Sequence, residues 1–150
     1  MIKNSGVFPV GRLDKNTSGV LLLTDDGDLA HRLAHPSFGV EKVYRAEVAG
    51  KINEKDIRKM KEGLILDDGP TTPAEMKVLE SNKNNSIVEI TIHQGRKRQV
   101  RRMLEHIGHP AKSLERISFG GITAQRLPLG AYRHLEAGEV EMLKKMVNLG

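Results

Sequence analysis

The chain of 150 residues contains no cysteine and no tryptophan, and only five of its residues are aromatic. Without cysteine, neither a disulfide nor a thiolate zinc site can form, which favours a reducing compartment, and we expect a cytoplasmic protein. With so few rings, base recognition cannot depend on an extended aromatic stacking platform. No apolar run approaches the roughly 18 residues of a membrane span, and no signal-peptide core is evident, so we expect no membrane association.

The positive charge of the chain is concentrated in one segment. Its formal net charge is +5. Between His93 and Arg116 the chain carries seven basic and two acidic residues, while the remaining residues carry 17 of each sign. Five of these cations lie between Arg96 and Ile107 against one acid, and they would repel one another unless a polyanion were bound. The distribution indicates a surface that meets phosphate groups.

The order of the predicted elements favours one α+β domain over residues 1–150, in which a mostly antiparallel mixed sheet carries packed helices. Two neighbouring strands joined by a polar link predict a hairpin. Asp28 is predicted to cap the first helix. Asn53, with Asp56 at the third position of a capping box, is predicted to open the second helix, and Gly63 to end it. Strands are predicted at 20–23, 42–49, 74–79, 87–92, 111–119 and 121–124, and helices at 28–34, 53–63, 97–107 and 137–147.

A loop from Gly11 to Gly19 precedes the apolar run 20–23 and contains a single acid, Asp14. Arg12 and Lys15 lie beside this acid, so its carboxylate should stay ionised at neutral pH and could act as a nucleophile or base. The alternative is a structural role, in which Asp14 bonds backbone N–H groups and caps a turn, as many loop aspartates do.

Two metal-binding interpretations of the sequence are weak. The loop partly matches the calcium-binding pattern, but Pro9 and Gly11 prevent the helix that an EF-hand needs before its loop, and Leu22 has no ligand oxygen at the ninth position. His31 and His35 have the spacing of a metal-binding pair, but no third ligand is evident. We therefore expect no metal.

Several motifs in order along the chain resemble those of the pseudouridine synthases, and most closely the RsuA-like ribosomal-RNA branch. The resemblance begins with the Gly-Arg-Leu-Asp sequence at 11–14 and the Thr-Ser-Gly sequence at 17–19, which leads into Val-Leu-Leu-Leu-Thr. It continues through residues 35–38, the Lys-Val-Tyr sequence at 42–44 and the segment from Gly95 to Met103. Motifs in this order cover nearly the whole chain and are far more specific than any single one.

The resemblance implies that the protein isomerises uridine to pseudouridine in ribosomal RNA without a cofactor. It implies that Asp14 is the catalytic aspartate and that Arg101, reaching across the cleft, pairs with its carboxylate. Tyr44 matches the active-site tyrosine, whose ring packs against the flipped uracil and whose hydroxyl takes part in proton transfer. Arg12 corresponds to a residue that fills the gap left by the extruded nucleotide, and Leu114 to an apolar residue of the base pocket.

Four further cations are expected to bind the RNA backbone through contacts that do not depend on sequence. These are Arg96, Lys97, Arg98 and Arg102.

Relatives of this branch usually have more chain before the catalytic loop. They carry an RNA-binding domain of the S4 type, a linker and a first strand, whereas only ten residues precede Gly11 here. We therefore expect a catalytic domain without these parts, and a monomer. The alternative to an active synthase is a catalytically inactive RNA-binding fragment of such an enzyme.

Overall fold

A six-stranded sheet forms the centre of the computed structural model, which describes residues 6–150. The strands are β1 (Phe8–Pro9), β2 (Ser18–Gly19), β3 (Leu23–Thr24), β4 (Lys42–Ala49), β5 (Ile65–Leu66), β6 (Gly69–Pro70), β7 (Glu75–Ser81), β8 (Asn85–Ile92), β9 (Ala111–Phe119) and β10 (Ile122–Thr123). The helices are α1 (Gly27–Ala34), α2 (Glu54–Glu62), α3 (Gln99–His106) and α4 (Ala137–Met146). The predicted α+β class with a mostly antiparallel sheet is confirmed.

The sheet has the order β10-β9-β4-β8-β7, and β2 joins it by pairing with β9. Only the β2–β9 pairing is parallel within this sheet. The predicted hairpin is confirmed as β7 and β8, and β4 has the bounds predicted for it. Two separate pairs, β1 with β3 and β5 with β6, lie outside the central sheet.

The cap predicted from the sequence is present at α2 but not at α1. Asn53 and Asp56 form the capping box expected before α2, and Gly63 ends that helix with a φ of +94°. At α1 the predicted cap, Asp28, is wrong, because the helix begins at Gly27 and the carboxylate of Asp26 accepts the Leu29 N–H at 3.1 Å. Asp28 lies inside the helix and pairs with Arg32.

The strand predicted at 20–23 is wrong in its bounds, because residues 20–22 lie outside the strands and β3 begins at Leu23. Val20 and Leu22 are buried, whereas Leu21 and Leu23 are 39% and 43% exposed. Consecutive side chains of this run therefore alternate between core and solvent, the pattern of a segment with one buried side.

Two hydrophobic cores support the fold. The main core lies between the sheet and helices α2 and α3, and the second core joins α1 and α4 to the segments on either side of the Asp14 loop. Val10 before that loop and Val20 after it both belong to the second core. The loop is therefore anchored at both ends by buried residues. Fully buried members of the main core include Val48, Met60, Val88, Ile90, Met103 and Leu104.

Candidate active site

The Asp14 loop, defined as Gly11–Gly19, makes a tight turn over its only acid. The Thr17 N–H donates to the Asp14 carbonyl at 3.0 Å, and Asn16 takes a left-handed φ of +67°. Strand β1 precedes the loop and β2 forms its last two residues, so no helix adjoins it. The Asp14 carboxylate does not cap this turn. Its Oδ2 accepts a hydrogen bond from the backbone N–H of Arg98, 84 residues further along the chain, at 3.0 Å.

Arg98 places the first turn of α3 against Asp14. It is the N-cap residue of the helix, with a φ of +51° and a ψ of +31°, a conformation that few residues other than glycine adopt. This geometry directs its N–H toward the half-buried carboxylate. Helix N-termini carry partial positive charge and favour anions. The Asp14 carboxylate therefore lies against the positive end of α3.

Arg101 reaches the loop, but not the carboxylate. Its Nη2 donates to the Asn16 carbonyl at 2.5 Å, and its buried Nε has no partner. Among the described residues, no lysine or arginine side chain lies within 4.0 Å of the Asp14 carboxylate, so the predicted Arg101–Asp14 ion pair is not formed. The group that bonds the Asp14 carboxylate is instead the backbone N–H of Arg98.

Tyr44 lies on the central strand β4, between Ile90 of β8 and Arg116 of β9. Its ring is partly buried and packs against the main core. No residue from 6 to 150 hydrogen-bonds its hydroxyl, and that oxygen is not among the buried polar atoms without partners. The phenol is thus held by its ring while its hydroxyl stays free to meet a ligand.

Three of the predicted RNA-binding cations have uncommitted side chains. Arg12 and Lys97 are exposed, Arg98 is half-buried, and none of the three side chains hydrogen-bonds or ion-pairs with another described residue. Arg12 lies two residues before Asp14, and Lys97 and Arg98 precede α3. These cations are therefore available to phosphates near the carboxylate.

The other two predicted cations are bound within the protein. Arg102 donates to both carboxylate oxygens of Asp68, at 2.8 and 3.1 Å. Arg96 donates to the same carboxylate at 3.0 Å and to the carbonyls of Asp68, Gly69 and Pro70. The Arg102 hydrogen bonds lower the pKa of Asp68 below its ordinary value. Arg96 thus joins the β5–β6 hairpin to the segment before α3, and Arg102 joins it to α3 itself. An RNA-binding role for the two arginines stays a prediction.

Leu114 lies in the main core. It is 6% exposed, and its partner across the strands is Ala46 of β4. The structure therefore gives it the packing role of a strand leucine, and its place in a base pocket stays a prediction.

A family model described as RNA pseudouridylate synthase matches residues 3–106. The chain belongs to this family. It is 46% identical over 143 residues to an uncharacterized RNA pseudouridine synthase of Aquifex aeolicus, covering 95% of this chain and 57% of that protein. It is 42% identical over 146 residues to the ribosomal large subunit pseudouridine synthase B of Bacillus subtilis, covering 96% and 60%. The chain thus spans about three fifths of the length of these relatives.

The fold is also that of pseudouridylate synthases. A crystal structure of a pseudouridylate synthase superposes with a TM-score of 0.85 at 35% identity, covering 91% of this chain and 59% of that one. An H/ACA RNP bound to a substrate RNA containing 2'-deoxyuridine matches at a TM-score of 0.63 and 23% identity, which shows likeness of fold alone.

Two buried cations of this pseudouridylate synthase fold were not predicted from the sequence. Lys42 is 8% exposed and Arg116 is 3% exposed. The Lys42 Nζ lies 5.5 Å, and the Arg116 Cζ 5.0 Å, from the centre of the Phe119 ring. Burial, together with the neighbouring charge of Arg116, lowers the pKa of Lys42 to about 8. The alternation of side chains along the two strands could have predicted this burial. Lys42 shares its side of β4 with Ala46, and Arg116 shares its side of β9 with Leu114.

A buried amide also supports the segment before α3. Gln99 accepts the Arg96 N–H at 3.2 Å and donates to the Gln94 side chain at 2.9 Å, and the same Gln94 oxygen accepts the Thr72 N–H at 3.0 Å. This network fixes the backbone that directs the Arg98 N–H toward Asp14. The sequence shows both glutamines but does not show that they are bonded to each other.

The histidine pair and the helix lengths concern the expectations about metal and membrane binding. The rings of His31 and His35 lie 5.5 Å apart, and the Nδ1 of His35 contacts the Ser37 hydroxyl at 2.8 Å. In the part of the chain from residue 6 onward, no three His, Asp or Glu side chains come together as a metal-binding group. Over the same residues, no helix combines the length and apolar character required to cross a membrane.

Proposed function

We propose that this chain carries the catalytic site of an RNA pseudouridine synthase that isomerises uridine in ribosomal RNA, with Asp14 as the catalytic carboxylate. The observation that carries the proposal is the hydrogen bond from the Arg98 N–H to Asp14, which sets a half-buried carboxylate at a helix N-terminus beside uncommitted cations. The similarity to the ribosomal large subunit pseudouridine synthase B of Bacillus subtilis supports ribosomal RNA as the substrate class.

The proposed reaction needs no cofactor, because it is an isomerisation in which each bond broken is replaced by another. The bond between N1 of uracil and C1' of ribose breaks, the base turns, and C5 bonds to C1' in its place. The proton on C5 is released to solvent, and N1 ends protonated. Asp14 is the group that starts the exchange, either by covalent attack or by removal of a sugar proton.

The remaining candidates act around this carboxylate. Arg101 holds the Asp14 loop through Asn16, and the Tyr44 ring packs against the extruded uracil. Arg12, Lys97 and Arg98 bind the RNA backbone, and Arg12 also fills the gap left by the nucleotide. Leu114 supports the base pocket from the main core. The protein acts as a cytoplasmic monomer.

Release of tritium from ribosomal RNA transcribed with [5-³H]uridine tests the proposal, because the isomerisation replaces the hydrogen on C5. The wild type should release tritium and Asp14→Asn should not. Asp25→Asn, which alters an exposed acid six residues after the loop, is the matched control and should keep wild-type rates. A wild type that binds this RNA without releasing tritium would instead support the inactive RNA-binding alternative.

A further inference from the structure

Arg116 is a buried charge without a counter-ion. Among the described residues, no carboxylate lies within 4.0 Å of its guanidinium, and its buried Nη2 has no hydrogen-bond partner. Removing a guanidinium from water is costly unless specific contacts compensate for the lost hydration. The contacts present are the Phe119 ring and one hydrogen bond, from Nε–H to the Val20 carbonyl at 2.9 Å.

The hydrogen bond among these contacts holds Val20, the residue that follows the Asp14 loop. The Arg116 carbonyl accepts the Val20 N–H at 2.9 Å, and the Arg116 Nε–H donates to the Val20 carbonyl at the same distance. Both backbone polar groups of Val20 are thus satisfied by one residue. Arg116 consequently fixes the position and the orientation of this peptide.

Gly19 allows the close approach on which this arrangement depends. It pairs with Arg116 in the parallel β2–β9 ladder and has a φ of +122°. A Cβ at this position would lie 2.1 Å from the Arg116 carbonyl oxygen, closer than real atoms approach. No side chain fits between the loop and β9, so the end of the loop lies directly on that strand.

The loop is therefore held from two directions. Arg116 of β9 fixes its end, while α3 contacts its middle through the Arg98–Asp14 and Arg101–Asn16 hydrogen bonds. We propose that Arg116 is a positioning residue for the reaction proposed above: by fixing Val20, it keeps the Asp14 carboxylate within reach of the Arg98 N–H. The inference rests on the proposed function for its catalytic consequence alone, because the positioning can be measured without turnover.

Arg116→Met tests this role, with Arg45→Met as the matched control. Arg45 is an exposed arginine of the neighbouring strand β4 that pairs with Glu89. In tritium release, Arg116→Met should lower kcat by about tenfold or more with KM within about twofold, the pattern of a lost transition-state interaction. Arg45→Met should leave both constants within about twofold of the wild type.

Amide hydrogen exchange supplies the readout that does not need activity. In Arg116→Met the Arg98 amide should exchange about tenfold faster or more, because its acceptor Asp14 moves, while the core amide of Val88 keeps its protection. Unchanged Arg98 exchange, or equal acceleration at Val88, would overturn the inference, since the effect would be absent or global. An inactive wild type would refute the proposed function, and the exchange comparison would still decide the positioning role.

A second variant keeps the test decisive if Arg116→Met does not fold. Arg116→Lys retains the charge and the apolar stem over Phe119 but lacks the Nε–H that bonds Val20. It should show the same accelerated Arg98 exchange and the same loss of kcat in milder form. Wild-type values for both in this folded variant would contradict the proposal.

Discussion

Arg102 holds both carboxylate oxygens of Asp68, at 2.8 and 3.1 Å, and this pair joins the β5–β6 hairpin to α3. Arg96 bonds the same carboxylate, so one acid on the hairpin engages two cations of the segment that contacts Asp14. A basic cluster identified by counting charges therefore divides into cations that support the fold and cations that are free for a ligand.

Arg102→Met and Asp68→Asn should each lower the urea midpoint of unfolding, because each removes the bidentate contact. In the double variant the two losses should be less than additive, since both variants remove the same interaction. Because Arg102 lowers the pKa of Asp68, the contribution should be present at neutral pH and disappear as the pH falls through that lowered value. Additive losses in urea unfolding would show that the pair does not stabilise the hairpin.

The salt dependence of RNA affinity should depend on the uncommitted cations. Each phosphate contact to a single strand contributes about 0.7 to the slope of log K against log salt, so Arg12→Ala with Lys97→Ala should reduce the slope by about 1.4. Lys55→Ala with Lys83→Ala removes the same charge from exposed sites on α2 and in the β7–β8 turn and should leave the slope unchanged. Equal reductions in the two double variants would point to net charge rather than to a local RNA contact.

Tyr44→Phe should keep the fold and the RNA affinity but reduce turnover. The ring that packs against the main core is retained, while the hydroxyl left free by the described residues is lost. Circular dichroism, RNA titration and tritium release measure the three properties. Tyr132→Phe, at the other and exposed tyrosine, should change none of them. Undiminished turnover in Tyr44→Phe would remove the hydroxyl from the chemistry.

Sequence analysis succeeded where a few neighbouring residues decide the structure. The capping box of Asn53 and Asp56 and the stop at Gly63 involve bonds across a single turn, and both were predicted. The strand from Lys42 to Ala49 follows from side-chain alternation. Family motifs indicated Asp14, and in the fold its carboxylate bonds the start of α3.

What the sequence could not provide were partners far apart in the chain. The bond between Arg98 and Asp14 depends on a left-handed residue at the start of α3, which no propensity indicates. Arg101 bonds the carbonyl of Asn16, 85 residues away, which no local pattern indicates. Asp68 stands outside the basic segment in sequence, so charge counting could not reveal that it engages two of the cations.

The protonation of Lys42 should destabilise the folded protein. Burial beside Arg116 lowers its pKa from 10.5 to about 8, so between these values the unfolded chain binds more protons than the folded one. Stability contributed by such a group rises with pH across that interval, and the penalty is complete below pH 8. From pH 7 to 9.5 the free energy of unfolding should gain about 2 kcal/mol from this lysine.

Urea unfolding of the wild type and Lys42→Met at these two pH values isolates that contribution, because other groups that titrate are common to both chains. The wild type should gain about 2 kcal/mol more than the variant between pH 7 and 9.5. Lys77→Met, at an exposed lysine of β7, should follow the wild type. Parallel pH profiles for the wild type and Lys42→Met would mean that Lys42 titrates alike in both states, and that its charge is hydrated in the folded protein.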